Sequence, residues 1–157
     1  MNRAILLAGL ALILAAANWA IVSGELLKSS GQLVYLELAP VDPRSLMQGD
    51  YMALRYKIDL KTPGTGDGES GYLIIRLDDR HVAKAVGWNA EPAAGELRLK
   101  YRGRSGRTSI GSDAFFFEEG SRRLYESARY GEFRVAENGD ALLTALRDAN
   151  LVRLGPP

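Results

Sequence analysis

The side chains best equipped for chemistry are Ser45, Lys84 and His81. Ser45 lies in "PVDPRSLMQGDYMALRY", residues 40–56, four positions before Gly49-Asp50. Lys84 lies in "VAKAVGWN", and strand alternation places it on one face with Val82 and Val86, a face that is equally the solvent one if Ala83 and Ala85 point inward. A lysine on an apolar face favours the neutral amine and can take a proton from a serine hydroxyl, so Ser45 and Lys84 form a candidate catalytic dyad. His81 follows Asp78 and Asp79 in "LDDRH". A carboxylate–histidine group can bind metal or move protons, but adjacent residues of this kind in a hairpin turn usually face water.

Composition narrows the chemistry. The 157-residue chain has no cysteine, which removes disulfides, thiolate nucleophiles and cysteine-based zinc sites. It has one histidine, too few for a histidine-rich metal centre. The loop "GTGDGES" carries acidic oxygens without calcium-loop spacing. No Gly-rich phosphate loop or dinucleotide fingerprint occurs. The expectation is therefore no cofactor and no metal. A net charge of +1 gives no reason to expect a nucleic-acid partner.

The elements that must position these residues begin with a membrane-length segment. Ala4 to Val22 is apolar over 19 residues. As a helix it spans about 28 Å, close to a bilayer's hydrocarbon thickness. Trp19 stands where an interfacial aromatic would, and Arg3 precedes the run. These features predict an uncleaved single-pass anchor. The N-terminus would be cytoplasmic and the rest of the chain periplasmic or otherwise extracytoplasmic. A cleaved signal peptide is the competing reading. Ala4, Ala8, Ala11, Ala15 and Asn18 share one stripe of the helix, a candidate packing seam for an integral membrane partner or a second copy.

Residues 1–31 thus read as the anchor and its aqueous extension, with Gly31 as C-cap, and 32–157 as an exported β-rich domain. Strand patterns fall at 33–39, 51–60, 72–78, 82–88, 96–102 and 114–119. A hairpin follows around Asn138-Gly139. A short helix is predicted over 121–130, with Ser121 as N-cap, Leu124 and Ala128 on one face, and Gly131 ending it. "LGPP" reads as a tail. The fold class is mainly β: a small barrel or sandwich of about eight strands with one short helix.

Two further features concern surfaces. Arg98, Lys100, Arg102, Arg104 and Arg107 place five cations in ten residues with no acid among them. Such a stripe suits either a charged edge strand that resists aggregation or attraction to anionic lipid. In the opening loop, Pro40 and Pro43 stiffen the backbone, Asp42 opens a turn and Gly49 permits a positive φ. Leu54 and Tyr56 lie on the inward face of the following strand, with Met52 and Ile58. Arg44, Ser45, Gln48 and Tyr51 are freer to touch something outside.

Two resemblances follow. Gly49-Asp50-Tyr51-x-x-Leu54-x-Tyr56 is similar to the motif of the GDYXXLXY protein family, as are "LELAPVDPRSLMQGDY", "FFFEEG" and "ARYGEFRV". That resemblance implies a membrane-anchored bacterial protein allied to accessory proteins of multi-span membrane proteins. It supplies no catalytic residues. It marks Asp42, Pro43, Arg44, Gly49, Asp50, Tyr51, Leu54 and Tyr56 as motif or interaction positions. The anchor, Ser45 and Lys84 also resemble the layout of membrane-anchored signal peptidases. The departures are that Ser45 is followed by Leu46 and Met47 rather than Met-x-Pro, and that the gap to the lysine is long. The expected role is an accessory or interaction protein; the alternative is a Ser/Lys peptidase-like protein.

Overall fold

The computed structural model describes residues 3–39, 47–48, 51–58, 68–104 and 107–156. Its first element is α1 (Arg3–Ser30), a single 28-residue helix. Its mean hydropathy is 2.4 over the most apolar window, it is long and apolar enough to cross a membrane, and none of that window is buried by the rest of the chain. The last turns are polar, and Ser23, Ser29 and Ser30 return their hydroxyls to carbonyls one turn back. Gly31 closes the helix by donating its N–H to the Leu27 carbonyl at 2.9 Å. A Cβ at Gly31 would collide with that carbonyl and with Arg134, so glycine is required by space.

Eleven strands are seen among the described residues. They are β1 (Gln32–Glu37), β2 (Met47–Gln48), β3 (Tyr51–Ala53), β4 (Ser70–Leu77), β5 (Ala83–Trp88) and β6 (Glu96–Arg104), followed by β7 (Arg107–Ile110), β8 (Ala114–Phe116), β9 (Tyr130–Val135), β10 (Ala141–Arg147) and β11 (Arg153–Leu154). A one-turn helix, α2 (Arg122–Tyr125), lies between β8 and β9. The strands form three sheets, ordered β1-β9-β10-β11, β2-β3-β8 and β5-β4-β6-β7, with every pairing antiparallel.

The sheets are stitched at their edges. Tyr35 bridges to Val82, and its N–H meets the His81 carbonyl at 2.9 Å. The Lys100 N–H meets the Gly139 carbonyl at 2.8 Å. Leu38 bridges to Tyr56, and the Leu54 N–H meets the Asp113 carbonyl at 2.8 Å. One core results, containing Val34, Leu36, Leu73, Ile75, Leu99, Ile110, Phe133 and Leu146.

The mainly β class holds, and the eight expected strands are all represented. β2, β7 and β11 are additional. β7 reads Arg-Thr-Ser-Ile, so little in it marks a strand, yet Ile110 and Thr108 are buried. β11 takes in the first residue of the expected tail, Leu154, which packs against the core. The strand expected over 51–60 ends at Ala53 in the ladder. Its alternation persists nonetheless: Met52, Leu54, Tyr56 and Ile58 are buried, while Arg55 and Lys57 are exposed.

The helix expected over 121–130 spans only Arg122–Tyr125. Ser121 makes no side-chain cap; its carbonyl accepts from the Leu124 N–H instead. Tyr125 is the buried residue and Leu124 is half-exposed, because Tyr125 is gripped between Phe115 and Phe117. Gly131 does not end a helix but sits within β9, opposite Leu36 and Leu146.

The β4–β5 and β10–β11 hairpins use the same turn. Asp78 Oδ1 accepts from the N–H groups of Arg80 and Val82 at 2.9 and 3.0 Å. Asp148 Oδ1 accepts from Asn150 and Val152 at 2.9 and 2.8 Å. Each turn has a left-handed residue in its fourth position, His81 (φ 61°) and Leu151 (φ 64°). The aspartate supplies an acceptor for otherwise orphaned turn amides. Arg80 reaches from one turn to the Ala149 carbonyl of the other at 3.3 Å.

Candidate interaction surface

The motif strand does two jobs. Leu54 and Tyr56 are buried, at 5% and 1% exposure. The Tyr56 hydroxyl donates to the Ser112 carbonyl at 3.0 Å, and its ring meets Phe133 edge-on at 5.5 Å. Gly131 leaves room for both rings, since a Cβ there would press on each of them. This half of the motif knits the β2-β3-β8 sheet to the central core, as the inward pattern predicts.

Tyr51 behaves differently. It is half-exposed, and its ring lies 5.7 Å from Phe116 at a 42° tilt. The register explains the contact: Tyr51 faces Phe116 directly, with Met52 facing Phe115. Phe116 is 75% exposed. Phe115 and Phe117 turn the other way and clasp Tyr125, with centroids 5.1 and 5.2 Å apart. Beside this aromatic run lies an open groove of about 430 Å³, walled by Phe115, Phe117, Tyr125, Leu154 and Pro156. The alternation within "AFFFEE" was the available signal for the exposed Phe116.

Asp42, Pro43, Arg44, Ser45, Gly49 and Asp50 lie outside the described residues. The candidate loop 64–70 is mostly outside them too. Lys84 is described, and of its two readings the solvent-facing one holds while the apolar face is corrected. Its side chain is 71% exposed and faces Asp78 at 3.8 Å. Ala83 and Ala85 pack toward the core instead, and Val86 is 45% exposed. The sheet chooses the small residues because β5 is an edge strand beside β4, whose buried Ile75 faces Ala85.

His81 is exposed at the turn, where its carbonyl holds β1. Among the described residues no group of three His, Asp or Glu side chains is placed to hold a metal ion. Ala4, Ala8, Ala11, Ala15 and Asn18 lie on the open surface of α1.

A buried charged site was not anticipated. Glu132 is 5% exposed within β9. Its carboxylate accepts from Thr144 Oγ1 at 2.8 Å and from Arg147 Nε at 2.6 Å. Arg147 also donates to the Leu151 carbonyl at 2.9 Å and lies over the Tyr35 ring at 5.9 Å. Both carboxylate oxygens are thus satisfied within the fold. Alternation in "YGEFRV" sets Glu132 on the face opposite Phe133 and Val135, so the sequence carries no signal for its burial.

The cationic strand is also repositioned. β6 lies between β4 and β7, which covers it from Tyr101 to Arg104. Lys100 pairs with Asp140 at 2.8 Å, and Arg98 lies over the Tyr72 ring at 5.6 Å. The Asp140 carboxyl is held below the usual carboxylate range, first by the Lys100 hydrogen bond and then by Asn138 and nearby charge.

No curated protein and no solved structure matches the chain. The family model described as "GDYXXLXY protein" matches residues 13–146, from within α1 to near the end of β10. That span takes in both halves of the motif and Glu132 with Thr144, stopping one residue short of Arg147, and the chain belongs to the GDYXXLXY protein family.

Proposed function

We propose that this protein is a membrane-anchored accessory protein. Its β domain lies on the extracytoplasmic side of the bacterial inner membrane and contacts an integral membrane protein. The observation that carries this reading is the division of the motif. Leu54 and Tyr56 are committed to the core, while Tyr51 supports an aromatic residue that remains 75% exposed. Aromatic side chains offer large rigid contact area and are enriched at protein interfaces. Phe116 spends one contact on Tyr51 and leaves most of its ring available to a partner.

The anchor supports the same reading. α1 leaves its apolar residues open, with Ile5, Leu12, Ile13 and Trp19 all more than half exposed. Lipid covers most of such a helix, and the Ala4–Asn18 stripe offers the closest approach to another helix. Arg3 before the apolar run favours a cytoplasmic N-terminus.

The test is co-purification of the full chain in mild detergent, followed by cross-linking from position 116. A multi-span protein should be recovered, and Phe116→Ser or Tyr51→Ser should weaken its recovery. Asn18→Leu combined with Ala11→Leu and Ala15→Leu should do so through the anchor. Unchanged recovery in both sets would refute the assigned surfaces.

A further inference from the structure

We infer that the outer face of β6 rests against anionic headgroups of the bilayer that α1 crosses. The inference rests on the spanning role of α1 and adds a lipid contact to the partner contact proposed above.

The first ground is topological. A cationic strand is ordinarily explained as protection of a sheet edge. β7 pairs with β6 from Tyr101 to Arg104 and the Gly139 carbonyl takes the Lys100 N–H, so edge protection does not account for the charge at Lys100 and Arg102. Arg98, Lys100 and Arg102 alternate with buried Leu99 and Tyr101, and therefore share the outer face. In register, Lys100 faces Tyr72 and Arg102 faces Ser70 on β4. Lys100 is paired with Asp140. Among the described residues neither Arg98 nor Arg102 is within ion-pair distance of a carboxylate.

The second ground is where this face sits relative to the anchor. The β9–β10 turn closes on β6 where β7 stops: Ile110 is β7's last residue, opposite Tyr101, and the next amide, Lys100 N–H, goes to Gly139. The same turn forms one wall of a groove of about 670 Å³ whose other wall is α1, at Ser23, Leu26, Leu27 and Ser30. Asp140 lines that groove and holds Lys100. Ser23 is the first residue after the apolar run. From Ser23 to Gly31 the helix rises only about 12 Å. Arg134 then ties the helix end to β9 through the Gly31 carbonyl at 3.2 Å. β6 is thus joined by short contacts to the segment that leaves the membrane.

The chemistry follows from charge. A cation near an anionic leaflet gains stabilisation that fades within a Debye length, about 8 Å at physiological salt. Arg98 and Arg102 are the side chains best able to respond, and the guanidinium group suits phosphate oxygens.

The experiment uses the full chain in liposomes. The protein has no cysteine, so Ser70→Cys gives a single labelling site beside Arg102. Energy transfer to a headgroup-linked acceptor is compared in phosphatidylcholine vesicles and in vesicles also containing phosphatidylglycerol. Transfer should be higher in the anionic vesicles and should decline with added salt. The docking equilibrium should fall roughly fivefold for each charge removed, in Arg102→Gln and then in Arg98→Gln/Arg102→Gln. Equal transfer in the two vesicle types, with α1 still resistant to alkaline extraction, would overturn the inference while leaving the anchor intact. Loss of the chain on alkaline extraction would instead overturn the spanning role beneath it. The salt series on the parent chain decides the matter even if the double variant fails to fold.

Discussion

Arg147 Nε donates to Glu132 Oε2 at 2.6 Å inside the β1-β9-β10-β11 sheet. The register between β9 and β10 shifts between Leu143 and Ala145, and the extra residue, Thr144, supplies the second hydrogen bond to the carboxylate. A bulge that would otherwise weaken the ladder thereby completes a buried polar site. Arg147→Met leaves the Glu132 charge buried without its cation. The expected loss is about 3 kcal/mol of unfolding free energy, read by urea denaturation in detergent. Adding Glu132→Gln should restore much of that loss, because the uncompensated charge is gone. A double variant as unstable as the single one would mean that the guanidinium acts through packing on Tyr35.

Glycine at 139 meets two demands. Its φ is 88°, and a Cβ would stand 3.2 Å from Arg98 Cγ and 3.3 Å from the Arg98 carbonyl. Gly68 has nearly the same φ, 87°, but open space around it. Gly68→Ala should therefore cost only the backbone term, about 1 kcal/mol. Gly139→Ala should cost more, because it also pushes the turn off β6. Equal costs would show that the turn shifts without penalty, and amide exchange at Lys100 would then be unchanged.

Acid should loosen the same turn. The Asp140 carboxyl is held down chiefly by Lys100, and the Asp78 carboxyl chiefly by the Val82 N–H. A carboxyl whose folded value lies below its unfolded value binds fewer protons when folded. Its contribution is complete above the unfolded value of about 4 and is lost as pH falls through the folded value. Stability measured as pH is lowered from neutrality should stay level from these groups until about pH 4, then decline. Asp78→Asn and Asp140→Asn should each flatten the decline. A slope unchanged in both variants would assign the acid sensitivity elsewhere.

The legible parts of the fold were those where alternation meets a buried face. Met52, Leu54, Tyr56 and Ile58 are all buried as their spacing predicts, although the ladder ends at Ala53. Asn138-Gly139 marks its hairpin through the left-handed glycine. Pattern failed where two faces were both plausible: in "VAKAVGW" Lys84 and Val86 went outward because the core beside Ile75 accepts alanine. It also failed at β7 and β11, which pair with their chain neighbours β6 and β10 but are too short to show a strand pattern of their own. Glu132 was hidden because Thr144 and Arg147 reach it only through the β9–β10 ladder.

The two halves of the motif should separate in experiment. Tyr56→Phe keeps the ring against Phe133 but removes the donor to the Ser112 carbonyl. It should destabilise the domain by about 1 kcal/mol, since a part-buried carbonyl loses its partner. Recovery of a membrane partner should be unaffected at temperatures where the domain is folded. Phe116→Ser should do the reverse. Its ring is largely in water, so stability should change by less than about 0.5 kcal/mol while partner recovery falls. Thermal melts paired with co-purification on the same preparations read both quantities. If Phe116→Ser unfolds the domain as readily as a core substitution, the exposed ring is holding Tyr51 and β3 in place and the aromatic run is structural. If Tyr56→Phe alone abolishes partner recovery at full stability, the contact surface extends beneath the Ser112 turn, and the division between Tyr51 and Tyr56 is wrong.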